Sequence, residues 1–351
     1  MSEKSFNPDM FALTRKIKGL TQKELHTETG ISQAQLSKFE QGLQTPTSSN
    51  IEKISLALGF PEESFYIDSH FTPAIIPIHR KQASLGKKIQ EQADSIGNLK
   101  AIHVEMLLEW HLIPYTMEKL PESIVSDPVK AADYVRKKLQ IPNGPIENLV
   151  TLLEKEGIFI FLEKFPSRTL DGFTLIGGLG TRPVLFINKE TSGDRERLNI
   201  AHELGHALMH SIVSKEAEKE AWAFAAELLM PKAKITGDLR NAHQLSDFAQ
   251  LKSKWKVSMS ALMMRSYRLG LIVENQYRYL MMQMAPYRRQ EPIFIPQEMP
   301  VLFHSLLNGY KEKNQLTTVE LAKRLGLTQD MFTGLYGSQN QKEQGNDIGI
   351  F

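Results

Sequence analysis

The run His202-Glu203-Leu204-Gly205-His206 has residue types and a spacing that could support metal chemistry. On a helix, side chains four residues apart share one face, so both imidazoles could reach one ion. Neutral imidazole suits Zn²⁺, at Zn–N distances of ~2.0–2.1 Å. Zinc lowers the pKa of a water it polarises towards ~7, and Glu203, on the adjacent face, is placed to take that proton. The pattern predicts a zinc-dependent hydrolase with His202 and His206 as ligands and Glu203 as general base.

Such a site needs a third protein ligand, and histidines nearby do not supply it. His210 lies on the same helical face but about 12 Å along the axis from His202, too far for one ion on a straight helix. The position ten residues after His202, where some zinc motifs place a third histidine, is Ile212. A carboxylate from another element is therefore the better candidate.

The segment that ends at Pro231 predicts a second helix that carries this carboxylate. A carboxylate buried among the alanines and phenylalanine of that helix is costly without a partner, and a zinc ion would supply one. Glu220 is the preferred third ligand, with Glu227 and Glu218 as alternatives. The competing interpretation is that Glu218 and Glu220 only complement the helix dipole in the first turn.

The elements that must position this site have an α+β pattern. Short runs of β-forming residues predict strands at Ile158–Leu162, Gly172–Ile176 and Val184–Asn188. Prolines that open helices predict two more at Val129–Leu139 and Ile146–Glu156. The edge of the middle strand could hold an extended peptide by main-chain pairing. Arg265 and Tyr267 are weaker candidates for stabilising an oxyanion.

The first sixty residues contain three helix-start signals, each a hydroxyl followed three positions later by Glu or Gln: Thr21 and Glu24, Ser32 and Gln35, Ser49 and Glu52. Gly30 allows a tight turn between the first two. The segment therefore predicts helices at 21–29 and 32–41 in a helix-turn-helix arrangement, whose second helix enters the DNA major groove.

The exposed face of that second helix predicts the DNA contacts. It carries Gln33, Ala34, Ser37 and Lys38. Gln33 could read adenine in a bidentate manner, and Ala34 could contact a thymine methyl. The alternative is a small helical module for protein contacts, since residues 1–60 are only weakly basic.

The run GLTQKELHTETGISQAQLSKFEQG resembles the Cro/CI-type (XRE) helix-turn-helix family over roughly residues 9–66. The resemblance implies that Gln22 and Gln33 touch DNA, that Arg15 is the basic residue of the preceding helix, and that the domain binds as a homodimer. His26 departs from the family, which usually has alanine where the two helices approach closely.

The runs GDRERLNIAHELGHALMH and EKEAWAFAAELLMP resemble the ImmA/IrrE family of bacterial metallopeptidases, from roughly Asp127 to Arg288. The resemblance implies zinc bound by His202, His206 and Glu220, with Glu203 as general base. It also implies a protein substrate, a repressor of the helix-turn-helix type. Trp222 departs from the family, which commonly has Asp or Asn there, and this departure bears on catalytic competence.

A segment near the C-terminus repeats the N-terminal pattern. LTTVELAKRLGLTQDMF at 316–332 matches LTQKELHTETGISQAQL at 20–36, including a capping box at Thr317 and Glu320. The repeat predicts a second helix-turn-helix-like unit at about 296–337, and we expect it to pack against the rest of the chain or a partner rather than to read bases.

Composition excludes several classes of protein. The 351 residues include no cysteine, so a metal site must use His and carboxylate ligands. The net charge of +2 excludes a chain that binds nucleic acid over its whole surface. Neither a signal sequence nor a long apolar segment is evident, which predicts a cytoplasmic protein that contacts no membrane.

These observations predict a multidomain chain. Its parts are an all-α helix-turn-helix domain at 1–66, a linker at 67–86, an α+β zincin-like metallopeptidase domain at 87–290 with a leading helix at 87–111, and a small helical region with a tail at 291–351. The predicted function is a regulator that binds a double-stranded DNA operator and cleaves a repressor-type protein with a zinc-dependent endopeptidase. The alternative is a transcription factor or antitoxin-like regulator whose zinc domain senses or dimerises without proteolysis.

Overall fold

The computed structural model describes residues 5–71, 76–78, 86–117, 120–165, 170–176, 182–210, 214–287 and 290–337. The first four helices are α1 (Pro8–Lys18), α2 (Gln22–Thr29), α3 (Gln33–Glu40) and α4 (Ser48–Leu58). The four strands are β1 (Ile76–Ile78), β2 (Phe159–Glu163), β3 (Gly172–Ile176) and β4 (Pro183–Asn188). The remaining helices are α5 (Lys87–Trp110), α6 (Glu122–Val125), α7 (Pro128–Lys138), α8 (Leu149–Lys155), α9 (Gly193–Met209), α10 (Lys215–Leu229), α11 (Lys232–Leu239), α12 (Leu245–Trp255), α13 (Met259–Arg268), α14 (Glu274–Gln283), α15 (Leu302–Lys313), α16 (Thr318–Arg324) and α17 (Gln329–Tyr336).

Helices α2 and α3 form the expected helix-turn-helix. Thr21 and Glu24 make the predicted capping box at the start of α2, and Gly30 ends that helix with φ of 71°. Ser32 caps α3 through the Gln35 N–H. The cap expected at Ser49 is wrong, because α4 begins two residues earlier, where the Thr47 hydroxyl accepts from the Asn50 N–H.

The strands form one sheet in the order β1-β3-β4-β2, in which β2 and β4 are parallel and β3 runs antiparallel to β4. Side chains alternate between the two faces of the sheet. Leu185 and Ile187 of β4 join the core formed with α7 to α14, while Val184 and Phe186 join the core formed with α5, α15 and the N-terminal helices. Helices on both faces of a small sheet confirm the predicted fold class.

Strand β1 lies within the segment that sequence analysis assigned to a linker. It pairs antiparallel with β3, with Ile76 opposite Ile176 and Ile78 opposite Thr174. Its central residue, Pro77, has no N–H to donate, which suits the outermost strand of a sheet. A run of three residues with a central proline is too short to predict a strand from sequence. These residues form a strand because they pair with β3.

The C-terminal helices α15 to α17 pack onto α5 and onto the N-terminal domain. His103 of α5 is fully buried; its Nδ1 lies 2.6 Å from the Tyr336 hydroxyl and its Nε2 lies 2.9 Å from the Leu325 carbonyl oxygen. The Ser64 hydroxyl donates to the Gly326 carbonyl at 2.7 Å. Because α5 also contacts α1 and β3, it joins the DNA-binding helices to the sheet. The domain bounds remain a prediction, and the tail expected at the end of the chain lies outside the described residues.

None of the helices in the described part of the chain combines the length and the apolar content that crossing a bilayer requires.

Candidate metal centre and DNA interface

Helix α9 carries His202, Glu203 and His206 in its buried central turns. It packs closely on α10, and Gly205 is the residue that allows this approach. A Cβ atom at Gly205 would lie 3.0 Å from Phe224 Cδ1 and 3.3 Å from Ala221 Cα. A larger residue would push the helices apart, so the glycine brings the first turns of α10 over the two histidines.

His202, His206 and Glu218 come together in a compact cluster. The two Nε2 atoms lie 3.1 Å apart. Glu218 Oε1 lies 3.3 Å from His206 Nε2, and Glu218 Oε2 lies 3.6 Å from His202 Nε2. One ligand atom from each residue falls within 4.8 Å of the others, a geometry that could hold a metal ion.

The Glu218 carboxylate shows that this cluster suits a cation. Both of its oxygens are buried, and neither accepts a hydrogen bond from the described residues. A buried carboxylate is costly unless a donor or a positive charge compensates it. Two imidazole nitrogens and one carboxylate are also the donor set expected of a catalytic zinc site, which leaves a further position open.

Glu220, which sequence analysis preferred as the third ligand, does not join this cluster. Its Oε2 lies 2.9 Å from Nε2 of His210. Residues 218 and 220 are separated by about 200° around a helix, so they cannot face the same ion. Glu227 is also occupied elsewhere, because it accepts from the Lys232 N–H at 2.8 Å and pairs with Arg265.

The Glu203 side chain extends from α9 towards β3. The Thr174 hydroxyl of β3 donates to Glu203 Oε2 at 2.8 Å. Burial raises the pKa of Glu203 to about 8, although the Thr174 hydrogen bond opposes that shift and the charges of Glu218 and Asp171 add to it. A cation bound at the neighbouring cluster would favour the ionised form again. No sequence motif marks Thr174, because only the packing of β3 against α9 brings it to the site.

Trp222 and Arg265 have roles that the sequence alone did not show. The Trp222 ring lies over His202, with centroids 4.1 Å apart and planes inclined by 32°. Arg265 was a weak candidate for an oxyanion, but it pairs with Glu227 and donates to the Met230 carbonyl, which ties α13 to the end of α10. Tyr267, the other candidate, stacks on Tyr277.

The predicted DNA-binding residues lie on α3 and at the start of α2. Gln33, Ala34 and Lys38 are exposed, and Ser37 is half-buried. Gln22 is half-buried and donates to Glu40 at 2.9 Å; Glu40 also pairs with Arg15 at 2.5 Å. This arrangement fixes the start of α2 against α1 and the end of α3, and it leaves the face of α3 free to approach a groove.

His26 is exposed, and its Nδ1 lies 2.8 Å from the Ile31 carbonyl oxygen in the turn that joins α2 to α3. The ring therefore lies outside the contact between the two helices, which explains how a histidine is accommodated where the resembled family usually has alanine.

Models of known protein families match both the helix-turn-helix part of the chain and the part that carries the metal cluster. The helix-turn-helix family model matches residues 12–65, and the model of the IrrE N-terminal-like domain matches residues 153–267. A protein of Sinorhizobium fredii, described as an uncharacterized HTH-type transcriptional regulator, is 36% identical over 63 residues, which cover 18% of this chain and 82% of that protein.

Fold and site together define a DNA-binding helix-turn-helix regulator joined to a metallopeptidase-like domain. The chain belongs to the helix-turn-helix family of transcriptional regulators, and its second part is similar to the IrrE N-terminal-like domain. Both resemblances inferred from the sequence are thereby confirmed.

Proposed function

We propose that this regulator is a zinc-dependent endopeptidase that cleaves a repressor-type protein. The Glu218 carboxylate supports this proposal, because it is buried against the Nε2 atoms of His202 and His206 and no described residue donates a hydrogen bond to it. Glu203 lies beside this set on the same helix, and a purely structural metal site has no need of it. The proposed ligands are therefore His202, His206 and Glu218.

When bound, zinc supplies Lewis-acid activation of a water and of the scissile carbonyl. Glu203 accepts a proton from the attacking water and later passes it to the departing amine, so that water adds across the C–N bond. Thr174 holds the Glu203 carboxylate on the side of β3. The outer edge of β3 is paired with β1, so a substrate strand that binds along Thr174–Ile176 must displace Ile76–Ile78.

The test is the appearance of new protein N-termini. Zinc-loaded wild type and Glu203→Gln are each incubated with an extract of cells that express the protein, and the new amino termini are labelled and identified by mass spectrometry. The proposal expects cuts inside a helix-turn-helix protein with wild type alone. Identical profiles for the two proteins would contradict it.

Trp222 favours one alternative, in which the metal domain senses or dimerises without turnover. Its ring covers one side of His202 and so narrows the approach to the proposed site. In that case zinc binds, but the new N-termini do not appear.

We further propose that the chain binds an operator in double-stranded DNA as a homodimer, with α3 in the major groove. Gln33, Ala34, Ser37 and Lys38 lie on the face presented to DNA, and Gln22 lies at the start of α2. The exposure of this face of α3 supports the assignment. The hydrogen bond from Gln22 to Glu40 also supports it, because it holds the start of α2 beside that face.

Gln33→Ala is expected to weaken binding to a duplex selected from a random-sequence pool by roughly 5- to 150-fold, because a bidentate base contact contributes ~1–3 kcal/mol. Binding to a duplex of unrelated sequence should change little. Fluorescence anisotropy with both duplexes measures the effect, and Glu52→Gln, on the exposed side of α4, is the control. Equal weakening on both duplexes would show that Gln33 does not contribute to base recognition.

A further inference from the structure

Two residues beside the metal cluster form a hydrogen-bonded chain that ends on one of its histidines. His206 Nδ1 lies 3.1 Å from His210 Nδ1, and His210 Nε2 lies 2.9 Å from Glu220 Oε2. The His206 atom that faces Glu218 is Nε2, on the other side of the ring. The chain therefore leaves the metal-facing side of His206 free.

The proton positions in this chain follow from metal binding. A metal takes the lone pair of His206 Nε2, so the ring proton must be on Nδ1. That proton is donated to His210 Nδ1, which must then be the acceptor. His210 consequently carries its own proton on Nε2 and donates it to the Glu220 carboxylate. Each group in the chain has one consistent role, and the Glu220 carboxylate accepts the last hydrogen bond.

The surroundings of the chain suit a fixed arrangement. The His210 side chain is only 7% exposed and Glu220 is 29% exposed, so water competes weakly for the histidine. His210 caps the end of α9, while Glu220 lies on α10, the helix that also carries Glu218. The chain thus joins the helix of the two histidines to the helix of the proposed carboxylate ligand.

We infer that His210 and Glu220 are positioning residues that hold the His206 ring in the orientation and tautomer needed for metal binding. This inference rests on the proposed zinc site. Hydrogen-bond partners of this kind orient a ligating imidazole and increase its basicity, and their loss typically lowers metal affinity by about 10- to 100-fold. His210 and Glu220, which lie outside the cluster of His202, His206 and Glu218, thereby acquire a shared role.

The variants are chosen to separate hydrogen bonding from bulk. His210→Phe and Glu220→Leu remove the chain, and each is expected to raise the Kd for zinc by about 10- to 100-fold. Glu220→Gln keeps an oxygen that accepts from His210 Nε2, so its Kd should stay within about threefold of wild type. Glu216→Gln is the matched control, since Glu216 is exposed on the same helix and pairs with Lys219.

The measurement is a competition titration of the full chain with a chromogenic zinc chelator. The Co²⁺-substituted proteins are compared by visible absorption, which reports ligand geometry independently of activity. Circular dichroism of the metal-free proteins verifies folding; if His210→Phe does not fold, the Glu220→Leu and Glu220→Gln pair decides.

The possible results separate the two proposals. A wild type that binds no zinc would contradict the zinc site itself. A wild type that binds zinc, with His210→Phe or Glu220→Leu equal to it in affinity and in the Co²⁺ spectrum, would overturn the positioning role alone. A large loss in Glu220→Leu that Glu220→Gln restores would support it.

Discussion

Replacing Glu203 with Gln is expected to slow peptide-bond hydrolysis by ~10²–10⁴-fold, the usual contribution of a general base. Gln has the shape of Glu and still accepts the Thr174 hydroxyl that now lies 2.8 Å from Glu203 Oε2. It cannot take a proton from the attacking water. The substitution therefore removes one chemical step and leaves the packing of α9 against β3 intact.

Zinc binding is the control within this experiment. The proposed ligands are other residues, so the Glu203→Gln protein should retain its zinc. Rates are measured on the protein whose new N-termini the wild type generates, and Glu216→Gln serves as a surface control. Glu203→Gln that cuts at the wild-type rate would contradict its role as general base. A protein in which zinc binds but neither form cuts would favour the sensor alternative.

Replacing Glu298 with Ala is expected to lower the free energy of unfolding by about 3–5 kcal/mol, the cost of leaving a buried charge without its partner. Glu298 pairs with Arg197, whose side chain is 1% exposed. Burial lowers the pKa of Arg197 to about 10, although the charges of Glu147 and Glu196 oppose that shift. Glu298 also accepts the Leu149 and Val150 N–H groups at 2.6 and 2.9 Å, at the start of α8.

Urea denaturation of the metal-free proteins measures this effect. Glu298→Gln keeps one acceptor oxygen, which can serve either the α8 N–H groups or Arg197 but not both, so it should lose less stability than Glu298→Ala. Glu216→Ala removes an exposed ion pair, which contributes ~0–1 kcal/mol. A Glu298→Ala protein as stable as Glu216→Ala would mean that Arg197 finds another partner or reaches water.

Features set by residues close in sequence were predictable. The Thr21–Glu24 capping box and the left-handed Gly30 determine where α2 begins and ends. His202 and His206 share a face because they are four residues apart on one helix. The predicted strand Gly172–Ile176 has the bounds of β3. Each of these depends on a window of a few residues.

Features set by packing between distant segments were not predictable. The preference for Glu220 over Glu218 was reasonable on one helix alone, but the rotation of α10 against α9 decides which carboxylate meets the histidines. That rotation depends on the close contact of Gly205 with Ala221 and Phe224. Helix α8 begins at Leu149, three residues later than expected, because Asn148 and Glu298 cap it there.

The strand β1 and the C-terminal repeat illustrate the same limit. The sequence shows the capping box at Thr317, which the structure contains. It does not show that α17 buries Tyr336 against His103 of α5. Nor does it show that Ile76–Ile78 pairs with β3, because these residues acquire a strand conformation only through that partner.

The zinc content of the purified protein reports directly whether His202, His206 and Glu218 bind a metal ion. Elemental analysis is made on wild type, His202→Ala, Glu218→Gln and Glu216→Gln after reconstitution with zinc and removal of the excess. We expect about one zinc per chain in wild type and Glu216→Gln, almost none in His202→Ala, and a sharply reduced content in Glu218→Gln. A wild type without zinc, or a His202→Ala protein that keeps it, would contradict the proposed metal centre.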